Sequence, residues 1–161
     1  MKRINAILRH PLFVQQLTLL EELEAQRPFC RHDLTHLLDV ARLMWIDVLE
    51  QGLALDRETV YAAALLHDIG RAEQIRRGIP HEDAGAMLAE KILPDAGFDA
   101  EETEAVIAAI RCHRGGAPEN ARAQLGELLY RADKACRLCW CCGVREACNW
   151  PEERKNAGIA R

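Results

Sequence analysis

Residues 61–70, YAAALLHDIG, constrain this chain more than any other stretch: they are apolar on every side, yet close on His67 and Asp68. A helix that is apolar all round is the buried centre of a fold. Burying ionisable groups costs several kcal/mol unless they are paired or bound to a metal. Whatever surrounds this segment must therefore bring partners to both side chains.

Apolar spacing elsewhere is helical nearly throughout, and no convincing alternating strand is present. Abundant Ala and Leu against 5% aromatic residues point the same way. The expected fold class is all-α, one helical bundle in 161 residues. Pro11 starts a helix to about Gln26, with Leu12, Leu19 and Leu23 on its apolar side, and Arg27-Pro28 ends it. Asp33 caps a second helix, which carries His36, Val40, Leu43 and Met44 on one side and stops near Gly52. Asp56 caps a third over 58–69, and Gly70 and Gly78 bracket a polar loop. Pro80 begins a helix closed by Pro94 and Gly97, and Asp99 caps another to about His113. Residues 114–120 read as a loop, and a last helix from about Glu119 carries Leu125, Leu129 and Asp133 on one side. The organisation expected is a body over 1–135, with the N-terminal helix 11–27 packed on it, and a Cys-rich extension over 136–161.

Charge removes some functions. Lys and Arg total 21 against 25 Asp and Glu, a formal net charge of -4, so no basic nucleic-acid surface is evident. No apolar run reaches the roughly 18 residues needed to span a bilayer. The first 26 residues carry no signal-peptide pattern, which makes the cytoplasm the expected location.

His36, His67, Asp68, His113 and Asp133 each fall in or beside the apolar stripe of an expected helix. One such His is more often a satisfied core residue than a ligand. Five positions converging from four helices are a different matter. Imidazole nitrogens with carboxylate oxygens suit iron, manganese, zinc or nickel; carboxylates can also bridge two ions, and Asp68 stands immediately beside His67.

The order His36, His67-Asp68, Asp133, in the surroundings ALLHDIG and YRADKA, resembles the HD-domain metal-dependent phosphohydrolase superfamily over roughly residues 28–134. The resemblance implies an HD-domain helical bundle with a metal centre between its helices. His81 heads HEDAGAMLAEKIL and His113 ends AVIAAIRCHR, the two places where two-metal members carry His. One ion is then held by His36, His67, Asp68 and Asp133, and a second by Asp68, His81 and His113. The implied cofactor is one or two divalent transition ions: iron, manganese, or zinc, nickel or cobalt. The implied reaction is hydrolysis of a phosphate ester or anhydride by a metal-bound hydroxide. Its substrate would be a nucleotide or similar small phosphorylated molecule, and Asp68 would be a catalytic residue. Arg71, where relatives often carry Lys, and Lys134 are catalytic candidates; Arg114, Arg31 and His32 are candidates for substrate binding. The compact size and full His set are similar to two-iron HD hydrolases that cleave diadenosine tetraphosphate. The chain lacks the GYP of the HD-type cyclic-di-nucleotide phosphodiesterases. Two other readings share the ligand set: a mixed-valent di-iron oxygenase, and a non-catalytic metal or redox sensor. The N-terminal amphipathic helix leaves a homodimer open.

Seven Cys, an odd number with no secretion signal, argue for reduced thiols or a metal site over disulfides. Cys30 and Cys112 stand alone, and five others crowd into 136–148. Cys136, Cys139, Cys142 and Cys148, spaced x2, x2 and x5, are a candidate site for zinc or an iron–sulfur cluster. Cys141 is an alternative to Cys142, and Cys139, Cys142 and Cys148 form a three-Cys alternative. A bound ion there would brace the Asp133 helix; the bland alternative is a set of free thiols.

Overall fold

The computed structural model describes residues 1–114 and 121–159, the side chains of 121–123 excepted. The described residues form α1 (Lys2–Arg9), α2 (Pro11–Leu23), α3 (Leu34–Gln51), α4 (Arg57–Leu66), α5 (Arg71–Arg77), α6 (His81–Asp95), α7 (Ala100–Cys112) and α8 (Ala121–Ala135). Two 3-10 turns, Cys139–Cys141 and Glu152–Arg154, follow, and no strand is present among the described residues.

Local chemistry sets the starts. Asp33, Asp56 and Asp99 each turn a side-chain oxygen onto a free backbone N–H of the helix that follows, at His36, Thr59 and Glu102. Asp99 and Glu102 complete a capping box. Gly52, at φ 63°, ends α3 in the left-handed conformation that a side chain disfavours.

Helix α4 is the centre of the bundle. Every residue from Thr59 to Leu66 except Tyr61 is buried, and α1, α3, α6, α7 and α8 all pack on it. Tertiary packing on all sides holds so short a helix, which would be marginal alone. Arg3 ties α1 to two helix starts, with its guanidinium on Glu58 at 2.8 Å, Glu102 at 2.7 Å and Asp56 at 3.0 Å.

The structure departs from the sequence reading in four places. Helix α1 is an addition to the expected elements; its Ile4 and Ile7 are buried, Lys2 and Arg9 are exposed, and Arg3 is half-buried among its carboxylates. Helix α2 ends at Leu23 and buries Phe13 and Leu20; Leu23 is exposed and Leu12 and Leu19 are half-buried. The polar segment between Gly70 and Gly78 is a helix, α5, with Ala72 as its buried face. The third helix stops at Leu66, three residues short of Ile69, because the chain bends at the His67-Asp68 pair. The start of the last helix near Glu119 lies outside the described residues, as does the loop over 115–120.

Candidate metal centre

The bend after α4 makes the site. His67 Nδ1 donates to the carbonyl of Ala64 at 2.7 Å, which leaves Nε2 as a lone-pair donor facing inward. Gly70 then lets α6 come against the bend: a Cβ there would lie 2.3 Å from the His81 carbonyl oxygen and 2.4 Å from Gly85 N. No residue larger than glycine fits that crossing. His81 is thereby set at the first turn of α6, directly across from Asp68.

Around Asp68 the donors divide into two groups. His36 Nε2, His67 Nε2, Asp68 and Asp133 have donor atoms all within 4.8 Å of one another; so do Asp68, His81 and His113. Asp68 Oδ2 faces the first group, at 3.6 Å from His36 Nε2 and 3.2 Å from His67 Nε2. Its Oδ1 faces the second, at 3.3 Å from His81 Nε2 and 3.9 Å from His113 Nε2. Asp133 Oδ1 completes the first group, 3.4 Å from His36 Nε2. One carboxylate thus presents a separate oxygen to each cluster.

These donors fit divalent metal ions. His36 Nε2 and His67 Nε2 are buried with no hydrogen-bond partner. His81 Nε2 and His113 Nε2 stand 3.0 Å apart. The other nitrogen of each is committed, His81 Nδ1 to Gln74 Oε1 at 2.8 Å and His113 Nδ1 to the Ile110 carbonyl at 2.5 Å. With both outer nitrogens donating, two lone pairs point at each other, an arrangement that a cation relieves. His36 Nδ1 meets the sulfur of Cys136 at 3.4 Å, while that thiol donates to the Asp133 carbonyl.

Electrostatics keep both carboxylates and the second pair of imidazoles in ligand form, while Asp68 and Asp133 raise His67 against its burial. Burial would raise the Asp68 carboxyl, but the His67, His36 and His32 imidazoles that face it hold it well below the usual carboxylate range. Asp133 is also lowered: against burial stand His67, Arg137 and Lys134. Burial, with His113 and Arg71 nearby, takes His81 down to about 4, and burial with His67 lowers His113. Both imidazoles are neutral at pH 7, as ligation requires.

A cavity of about 200 Å³ opens onto the centre, walled by Asp68, His81, His113, Asp133 and His32. Arg27, Arg71, Arg114, Lys134 and Arg137 ring it, together with Trp150. Arg71 reaches towards Asp68 Oδ1 at 3.9 Å and Glu24 at 3.6 Å, and Lys134 pairs with the Asp133 carboxylate. His32 is buried, its Nδ1 on Glu24 Oε1 at 2.9 Å and its Nε2 3.8 Å from Asp68 Oδ2. Arg114 lines the cavity mouth, exposed and 3.9 Å from Glu82. Arg31 is not brought here: its guanidinium bonds the Ala25 carbonyl, and it lines a separate cavity with Leu20 and Asp33. Its charge points away from the centre because the chain turns inward only at His32.

Sequence reasoning missed Glu24, Gln74, Arg27, Arg137 and Trp150. Only Glu24 carried a signal, as an acid just past the end of α2 in line with the apolar Phe13 and Leu20. The four-Cys set is also redrawn. Cys136 sits under His36, where burial and the Asp133 charge push its thiol up to about 12. Cys139, Cys142 and Cys148 line a different cavity, and Cys30 stands there with them.

This bundle, with a His/Asp centre at a break in its central helix, is of one known kind. The HD domain family model matches residues 33–138, and the chain belongs to the HD domain family. Among its relatives is an uncharacterized protein of Clostridium beijerinckii, 38% identical over 159 residues and covering 99% of each chain. A bifunctional uridylyltransferase/uridylyl-removing enzyme of Azospirillum brasilense is 44% identical over 59 residues, 37% of this chain and 6% of that one. Ribonuclease Y of Oleidesulfovibrio alaskensis is 32% identical over 124 residues, 77% of this chain and 22% of its own. The chain thus spans only a small part of both named enzymes. The crystal structure of a predicted HD superfamily hydrolase from an uncultured Thermotogales bacterium shares the fold. Its TM-score is 0.66 at 24% identity, over 91% of this chain and 80% of that one.

Proposed function

We propose that the protein is a metal-dependent phosphohydrolase acting on a phosphate ester or anhydride of a small, nucleotide-like molecule. The observation that carries this reading is the cationic ring of Arg27, Arg71, Arg114, Lys134 and Arg137 around the two donor groups, in a chain whose net charge is -4. Positive charge so concentrated over a carboxylate-rich floor suits an anionic substrate that brings its phosphate to bound metal. Two relatives carry names, uridylyl-removing enzyme and ribonuclease, that describe breaking a phosphodiester bond.

Bound at these donors, a pair of divalent ions, iron or manganese foremost, supplies an acidified water and neutralises charge on the phosphoryl oxygens. The chain's own groups do the rest. Asp68 holds the two donor groups in register through its separate oxygens. Arg71 and Lys134 reach the cavity beside Asp68 and Asp133, where they orient the phosphate and offset charge gathering on its oxygens. His32, held by Glu24, is placed to exchange a proton with the substrate or its leaving oxygen at Nε2. Arg114 and Arg137 sit further out, where they bind whatever the phosphate is attached to.

The test is phosphate release from nucleoside mono-, di- and triphosphates and dinucleoside polyphosphates, with iron or manganese and with and without oxygen. Metal-dependent hydrolysis that Asp68→Asn abolishes is the expected result. Turnover that consumes oxygen and releases no phosphate would replace this reading with the oxygenase one. Metal binding with no turnover of any phosphate would leave the sensor.

A further inference from the structure

The segment after α8 lacks the usual means of staying folded. From Cys136 to Ile159 every residue is half-buried or exposed, and past Cys136 none packs on the hydrophobic core, so apolar burial contributes little to holding it. Segments without a core of their own are commonly secured by disulfides or by metal. All seven cysteines are free thiols. Polar contacts secure its ends: the Asn156 amide donates to the carbonyls of Lys134 at 2.9 Å and Arg137 at 2.7 Å, and Lys155 to that of Arg145 at 2.9 Å. Between those anchors the chain runs along the wall of a cavity of about 310 Å³.

Five cysteines line that cavity: Cys139, Cys141, Cys142 and Cys148 from the segment, and Cys30 from the loop before α3; of these Cys141 is exposed and turns its thiol to the Leu138 carbonyl at 3.5 Å, which leaves four for a shared ion. Cys136 is elsewhere, between His36 and the Asp133 carbonyl. Cys139 and Cys142 have the C-x2-C spacing that carries ligand pairs for zinc and iron–sulfur centres. A 3-10 turn closes that pair, with Cys142 N–H donating to the Cys139 carbonyl at 3.4 Å. Arg145 and Lys155 line the same cavity, so thiolates formed there gain positive neighbours.

We propose that Cys30, Cys139, Cys142 and Cys148 form a second, all-sulfur metal centre. It takes a thiophilic ion such as zinc, or an iron–sulfur cluster, and fastens the C-terminal segment to the loop before α3. The four sulfurs converge less closely than the His and Asp donors, which alone among the described residues form groups with donor atoms all within 4.8 Å. A single ion draws the Cys139–Cys142 turn inward; a cluster spans the wider ring. Each cysteine loses its proton as it binds. The consequence reaches the catalytic cavity, because the fastened segment contributes Arg137 and Trp150 to its wall.

The experiment uses the full chain purified anaerobically, as wild type, Cys30→Ser, Cys142→Ser and Cys136→Ser. Zinc, iron and acid-labile sulfide are assayed, and cobalt(II) is added to metal-stripped protein. Sulfur-to-cobalt charge transfer in the near ultraviolet reports thiolate ligands alone, so the His and Asp donors do not contribute. The signal is expected in wild type and Cys136→Ser and absent from Cys30→Ser and Cys142→Ser. Labile sulfide in wild type identifies a cluster, and zinc without sulfide an ion; either supports the centre. Should a variant fail to fold, alkylation of native wild-type protein decides. Added zinc is expected to protect Cys30, Cys139, Cys142 and Cys148 together, and exposed Cys141 to remain reactive. No thiolate signal in wild type, a signal kept by Cys30→Ser but lost by Cys136→Ser, or no zinc protection of Cys30 would overturn the proposal.

Discussion

Asp68 gives one oxygen to each donor group, which makes it the residue on which the two depend jointly. Gln74 touches only one side of the centre, fixing His81 from its outer nitrogen. Replacing Gln74 by Ala is therefore expected to weaken the ion at His81 and His113 by roughly 10- to 100-fold, leaving the other unchanged. Isothermal titration of the stripped protein with manganese reads both affinities. Acid sensitivity belongs at this scale too. His81, His113 and His32 are all lowered in the folded state, chiefly by burial, so an unfolded chain takes up protons near pH 6.5 that the folded one refuses. The stability of metal-free protein should fall as pH drops from about 6.5 towards about 4. His67, which is raised against its own burial, runs the opposite way and reduces the effect. Urea midpoints at pH 7.5 and 5 check the sign; a higher midpoint at pH 5 would refute it. The donors themselves were legible because ionisable residues in apolar stripes stand out. Gln74 was not, since a polar residue on a half-polar helix looks like any solvated one, and Glu24 showed only as an acid in register with Phe13 and Leu20.

At the scale of elements, the contact between α6 and the bend after α4 rests on Gly70. Gly70→Ala would drive a methyl into the backbone of α6. The expected cost is on the order of 3 kcal/mol or more, because two main chains, not a flexible side chain, must separate. A thermal melt should show that loss, together with weaker binding of the ion at His81. A fully stable Gly70→Ala protein would mean that α6 does not approach as described. Arg3→Ala removes three carboxylate contacts from a half-buried guanidinium, and a loss of about 1–2 kcal/mol is expected by urea denaturation. The long helices were readable from caps and spacing. Helix α1 was hidden by the charges of Lys2, Arg3 and Arg9 flanking its short apolar run, and α5 by the glycines at both ends, which also mark a loop. Its two turns owe their helicity to packing on α2 and α6 rather than to local preference.

For the whole molecule, the sign of charge at the cavity opposes the sign of the chain. Substrate capture should consequently weaken with salt: raising KCl from 50 to 300 mM is expected to raise KM several-fold while leaving kcat nearly unchanged. The family and the bundle could be read from the order of four ligands. The cavity's outer wall could not, because Arg137 and Trp150 come from a segment with no periodic pattern, held by Asn156 and its neighbours.

No described helix is long and apolar enough to cross a membrane. The decisive measurement uses protein purified without chelators. It is metal content per chain for wild type, Asp68→Ala, His36→Ala and His81→Ala, taken as differences from wild type so that sulfur-bound metal cancels. Asp68→Ala should lose about two ions, and His36→Ala and His81→Ala about one each. Equal metal in all four proteins would contradict a two-ion centre at Asp68.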